Sequence, residues 1–180
     1  ITVGARIAGR HAAETTSAYA DASGRGGCVA MIASLTPKKA HGTFLDAVKL
    51  ITKDAPEVRF RIVGGGPLHD ELARRFTSMG LSDVVRLTGA RADIGALLSE
   101  IDVSVLTSPT EGCSNVVLES MAAGCPLVVT DVGGNRELLA TRVAGDLVPP
   151  AGPPGIAAQW QDLLRDPGPR RTRGAAGVAR

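Results

Sequence analysis

Between residues 28 and 164, short apolar runs alternate with amphipathic stretches of helical period, and few folds accept that pattern. Residues 28–34, CVAMIAS, are apolar at nearly every position, as a strand covered on both faces must be. Residues 42–52 then place Phe44, Leu45, Val48 and Ile51 at helical spacing. A second strand is expected over 58–63, closed by Gly64-Gly65-Gly66-Pro67. Leu68, Leu72, Phe76 and Met79 predict a helix stopped by Gly80. Strands over 84–87, 102–106, 127–130 and 146–148 are interleaved with helical segments. These are a short helix carrying Ile94, Leu97, Leu98 and Ile101, a helix over 114–123 ended by Gly124, and a helical turn over 137–140. A final helix carries Ile156, Trp160, Leu163 and Leu164; Pro167 and Gly168 break it, because proline lacks the N–H and clashes with the preceding turn. Five or six βα units in succession specify an α/β fold, a doubly wound parallel sheet of Rossmann-like type in a single domain.

Residues 1–27, rich in Ala, Gly, Thr and Ser without a period, read as a linker or leader. Residues 28–168 form the expected domain, and 169–180 a tail or the start of a crossover helix. With 20 basic against 18 acidic residues and no basic block interleaved with aromatics, no nucleic-acid partner is expected. No apolar run reaches the ~20 residues of a membrane span, and no signal peptide is apparent. Cys28, Cys113 and Cys125 match no zinc spacing and read as reduced thiols of a cytoplasmic protein. Trp160 reads as core, His41 and His69 as surface residues at helix starts, and Arg170, Arg171 and Arg173 as a solvated face.

In doubly wound sheets, ligands sit beyond the carboxyl ends of the strands. The loops after residues 34, 63, 88, 106 and 130 hold most of the unusual residues. The first contains Lys38 and Lys39. In the second, Gly64-Gly65-Gly66 lets backbone approach a ligand closely. The fourth, Thr107 to Asn115, enters a helix with Ser114 as a plausible N-cap, and a helix N-terminus suits a phosphate. Glu111 lies before that helix and Glu119 about one and a half turns into it. Glu119 is too deep to serve as a capping-box partner. It therefore reads either as a solvated residue or as a hydroxyl acceptor facing the crevice.

Glu111-Gly112-Cys113-Ser114-Asn115-Val116-Val117-Leu118-Glu119-Ser120-Met121-Ala122-Ala123-Gly124-Cys125-Pro126, with Gly133-Gly134-Asn135-Arg136-Glu137 beyond it, resembles the retaining family-four glycosyltransferases of the GT-B fold. Ile62-Val63-Gly64-Gly65-Gly66-Pro67, Asp102-Val103-Ser104-Val105-Leu106 and Leu147-Val148-Pro149-Pro150 look like further landmarks in the family's order. The resemblance implies a donor-binding domain for a nucleotide-diphosphate sugar, UDP- or GDP-linked, in polysaccharide biosynthesis, with no metal or other cofactor. Lys39 then matches the lysine that neutralises the donor diphosphate, and Glu111 the glutamate that grips the transferred sugar. Glu119 matches the acceptor of ribose hydroxyls, and the backbone of Gly112, Cys113, Ser114 and Asn115 the cradle of the distal phosphate. Gly66 and Arg91 join the donor site, Arg91 near the base.

The resemblance also sets expectations about what is absent. The acceptor-binding N-terminal domain that such enzymes carry is expected upstream. The chain by itself is therefore expected to bind donor but transfer sugar poorly, and membrane association, at the inner face, would come through the missing half. Ser34 stands where the family often has an arginine, Ala40 where it has glycine, and Cys113-Ser114 where Phe-Gly is commoner. A dinucleotide-binding domain is the competitor within the fold, but His69 occupies the fingerprint's third glycine position. No Gly-Lys-Ser/Thr follows a strand, so a P-loop is excluded. A nucleotide-sugar epimerase and a non-catalytic binding or interaction module stay open.

Overall fold

The computed structural model describes residues 27–139, 145–149 and 152–165. The linker expected over 1–27 (apart from Gly27), the expected tail, the Pro167-Gly168 break and the three arginines beyond it lie outside those residues. In chain order the elements are β1 (Cys28–Ile32), a 3-10 turn (Pro37–Lys39), α1 (His41–Ile51), β2 (Arg59–Val63), α2 (His69–Ser78), β3 (Val85–Leu87), α3 (Ile94–Leu98), β4 (Val103–Leu106), α4 (Asn115–Ala122), β5 (Leu127–Thr130), α5 (Gly133–Leu138), β6 (Gly145–Val148) and α6 (Pro153–Arg165).

All six strands run parallel in the order β3-β2-β1-β4-β5-β6. The chain winds outward from β1 in one direction, then returns to β4 and winds out in the other. The reversal opens a crevice between the carboxyl ends of β1 and β4, where doubly wound sheets bind ligands.

The two-residue period of a strand explains why β1 is apolar throughout. Val29 and Met31 face one core with Phe60, Ile62, Val103 and Val105, covered by α1 and α6. Cys28, Ala30 and Ile32 face the other, with Leu97, Leu98 and Ile101. Trp160 of α6 is fully buried, its ring 5.3 Å from that of Phe44 and 6.1 Å from that of Phe60. With so few aromatics in the chain, this triplet concentrates the bulky packing at the α1–α6 contact.

Two polar ties reinforce the sheet from below the crevice. Arg61, buried on β2, donates to Glu100 at 2.8 Å, and the Asp102 carboxylate accepts the Cys28 N–H at 2.8 Å where β1 begins. The cysteines are all free. Burial pushes the Cys28 thiol up to about 12 and raises that of Cys125 as well, so both remain protonated and inert at neutral pH. Among the described residues, no helix is long and apolar enough to cross a membrane.

One element departs from the periodicity. The helix after β5 begins at Gly133, four residues before the expected turn at 137. Two glycines signal a turn by propensity, but here they are small for a packing reason. A Cβ on Gly133 would stand 1.8 Å from the Glu111 carbonyl oxygen, and one on Gly134 would stand 1.7 Å from that of Gly112. The Gly134 N–H also donates to the Glu111 carbonyl at 3.3 Å. Side chains at either position would push the β4 loop away.

Candidate functional site

The loops after β1 and β4 meet across the crevice. Lys39, the last residue of the 3-10 turn, places its Nζ 2.5 Å from Oε1 of Glu111. The Glu111 side chain is 8% exposed and that of Lys39 24%. The pair is therefore screened by water far less than a surface pair, and removing either partner would leave a poorly solvated charge. Beside it lies an open cleft of about 740 Å³ lined by Ser34, Thr36, Lys38, Lys39, Glu111 and Gly112 among others. Lys38 is exposed in the same cleft and has no ion-pair partner among the described residues.

Of the residues singled out in the sequence, Lys39, Glu111 and Gly112 thus come together. Cys113 and Asn115 are exposed at the start of α4, and Ser114 is buried at its N-cap position. Ser114 caps with its backbone: its carbonyl accepts the N–H groups of Val117 and Leu118, while its hydroxyl makes no capping bond, contrary to the side-chain role expected of it. The first N–H groups of α4 have no partner one turn back and point outward from the helix end, as at any helix start.

Glu119 is exposed on α4, with no ion-pair or hydrogen-bond partner among the described residues, and it does not line the Lys39–Glu111 cleft. Arg91 makes a bidentate ion pair with Asp93 through Nε and Nη2. Gly66 is small for an internal reason: a Cβ there would meet the Leu35 carbonyl oxygen at 2.6 Å. The glycine loop after β2 therefore seats the β1 loop, to which it is also tied by the Leu35 N–H donating to Gly65 at 2.9 Å.

His41 corrects the surface assignment made for it, whereas His69 is exposed beside Asp70 as expected. His41 opens α1 with 2% of its surface exposed, and neither ring nitrogen has a partner. Periodicity could not reveal this, because His41 precedes the first apolar residue of the helix. Burial, helped by the Lys39 charge, lowers its pKa from 6.5 to about 4. The unfolded chain therefore binds a proton that the native state refuses. Stability held above pH 6.5 should fall as the pH drops toward 4, by roughly 2 kcal/mol between pH 8 and pH 5. Urea midpoints for the wild type and His41→Gln over that range check this: the difference between them should change with pH, and a constant difference would contradict it.

Ala40, between Lys39 and His41, has φ 51° and ψ 45° and is the only non-glycine with positive φ among the described residues. The left-handed region explains the glycine that the family resemblance leads one to expect there. Ala40→Gly should stabilise the chain by about 1 kcal/mol, read as a higher urea midpoint at unchanged slope. A lower midpoint would contradict the strain. Sequence reasoning also passed over Thr107, Ser108, Thr130 and Asn135, all buried at the ends of β4 and β5. Thr130 donates to the Ser108 carbonyl at 2.5 Å, and the Asn135 amide donates to the Thr130 carbonyl at 3.2 Å. Hydroxyls and an amide at strand ends were the available signal.

The topology defines a doubly wound α/β domain, and comparison with known proteins narrows the class. Residues 27–166 match the family described as glycosyl transferases group 1, and the chain belongs to that family. It is 30% identical over 141 residues to an alpha-D-kanosaminyltransferase of Streptomyces kanamyceticus, covering 77% of this chain and 36% of that enzyme. The Anabaena Alr3699/HepE structure in complex with UDP-glucose superposes with a TM-score of 0.80 at 27% identity, over 87% of this chain and 44% of that one. The C-terminal domain of a group 1 glycosyl transferase, LpcC of Francisella tularensis, shares the fold at 22% identity and a TM-score of 0.79, over 93% of this chain and 91% of that one. The chain thus spans about a third of the kanosaminyltransferase and less than half of HepE.

Proposed function

We propose that residues 28–168 are the donor-binding domain of a retaining glycosyltransferase, and that a nucleotide-diphosphate sugar binds in the crevice between β1 and β4. The observation that carries this reading is the Lys39–Glu111 pair, which spans the topological switch point at 2.5 Å. A cation and a sugar-gripping carboxylate side by side are what a glycosyl diphosphate needs at its reacting end. The HepE complex with UDP-glucose favours a UDP-linked donor.

The roles follow from charge. As the glycosidic C–O bond breaks, negative charge grows on the departing nucleoside diphosphate. Lys39, Lys38 and the N-terminus of α4 are the groups poised to stabilise it. When the diphosphate takes Lys39, Glu111 is released to accept hydrogen bonds from the sugar hydroxyls. Glu119 accepts from the ribose, the backbone of Gly112, Cys113, Ser114 and Asn115 holds the distal phosphate, and Arg91 sits by the base. Gly66 shapes the floor by seating the β1 loop. Because side-chain cations and backbone N–H dipoles carry the compensating charge, no divalent metal is required. The acceptor is held by a second domain outside the matched residues, so transfer by this domain alone is slow or absent.

The test is a thermal-shift panel of UDP-, GDP- and ADP-sugars and NAD, with and without EDTA. Ligand at about a hundred times its dissociation constant adds roughly 2.7 kcal/mol. One nucleotide sugar is expected to stabilise, EDTA to make no difference, and NAD to be inert. Stabilisation by NAD, or by no nucleotide sugar, would overturn the reading.

A further inference from the structure

We infer that Thr107 is a positioning residue for Lys39, an inference that rests on the donor-site reading only for its effect on binding. Thr107 follows β4 directly and is fully buried. Its hydroxyl lies 3.1 Å from the carbonyl oxygen of Lys39 and 3.1 Å from that of Ala40, so its single proton bridges the two. The Met31 sulfur, at 3.6 Å, closes the other side.

This bond adds to the backbone ties already present there, in which the Ala40 N–H donates to the Pro37 carbonyl at 3.2 Å and the Ala40 carbonyl accepts the Thr43 N–H at 2.9 Å. Ala40 is in the left-handed region, a conformation an alanine leaves readily if nothing restrains it. The adjoining 3-10 turn has no side-chain cap. Relaxation at Ala40 would swing the Lys39 backbone, and with it the origin of the ammonium-bearing side chain. Thr107 prevents this from the β4 loop, four residues before Glu111, which takes the Lys39 side chain. One loop therefore fixes Lys39 twice, by its carbonyl and by its ammonium. The separation between the two loops, which sets the width of the crevice, depends on both.

Thr107→Val keeps the shape and removes the proton; Thr107→Ser keeps the proton. Two readouts on the 180-residue chain separate positioning from mere stability. The first is the 13C NMR signal of the dimethylated Lys39 ammonium, assigned by its loss in Lys39→Arg. In Thr107→Val it should move toward its position in Glu111→Gln, and in Thr107→Ser it should stay at its wild-type position. The second is titration with UDP, expected to weaken at least tenfold in Thr107→Val and to recover in Thr107→Ser. A Thr107→Val protein with lower thermal stability but wild-type Lys39 signal and UDP affinity would reduce Thr107 to packing and overturn the inference. Should the wild type bind no nucleotide, the functional reading fails on its own, and the Lys39 signal still decides the role of Thr107.

Discussion

Gly134→Ala should cost about 3 kcal/mol or more and should also abolish nucleotide-sugar binding in the protein that still folds. The added methyl would stand 1.7 Å from the Gly112 carbonyl oxygen and 2.9 Å from its carbon, and backbone atoms cannot swing aside as a side chain does. The β4 loop has to retreat instead, carrying Glu111 and Gly112 away from Lys39. Against a typical total stability of about 5–15 kcal/mol, a loss of that size is readily seen in a urea titration. Ala122→Gly, at an exposed position in the last turn of α4, provides the comparison: it should cost at most about 1 kcal/mol and leave the crevice intact. Equal midpoints for Gly134→Ala and the wild type would mean that the contact between the β5 and β4 loops is not the constraint described.

Lys39→Ala and Glu119→Ala should each remove the thermal shift given by the nucleotide sugar, for different reasons. Lys39 faces the diphosphate, and a charge-assisted hydrogen bond is worth about 1.5–3 kcal/mol, or about ten- to a hundredfold in affinity. At a ligand concentration that gives the wild type roughly 2.7 kcal/mol, a hundredfold weaker variant retains only about 0.4 kcal/mol. Lys39→Ala also leaves Glu111 buried without its partner, so its ligand-free melting point falls; the quantity to compare is the ligand-induced shift. Glu119 has no such internal partner, so its replacement should leave the ligand-free protein unchanged. Glu119→Gln, which can still accept a hydrogen bond, should fall between. A full shift in Glu119→Ala would remove it from the site and leave it the solvated residue that its exposure also allows.

The architecture was legible because its determinants are local. Alternating apolar runs and helical spacing placed the strands within a residue or two, and β1 reads as doubly buried because Val29 and Met31 serve one face while Ala30 and Ile32 serve the other. What escaped was non-local. Gly133 and Gly134 fell outside the helical turn expected over 137–140, and the reason both are glycine lies with the Glu111 and Gly112 carbonyls, more than twenty residues away in sequence. His41 looked like a surface residue, since nothing in its own segment says that the chain will cover it. Thr107 carried no motif, and its importance depends on an alanine 67 residues earlier holding a positive φ. For the site itself, Lys39 and Glu111 stood out by their place in the strand-end loops and do meet across the crevice, whereas the roles of Glu119 and Arg91 rest on the family resemblance alone.

If the crevice between β1 and β4 grips a diphosphate through Lys39, 31P NMR of UDP-glucose will report it at the atoms concerned. Added in excess to the chain, the nucleotide sugar should show shifted or broadened resonances for both phosphorus nuclei, and these should return to their free positions with Lys39→Ala. Phosphorus resonances that stay at their free positions while the uridine protons change, or that respond equally to the wild type and Lys39→Ala, would place the phosphates away from Lys39 and contradict a diphosphate grip there.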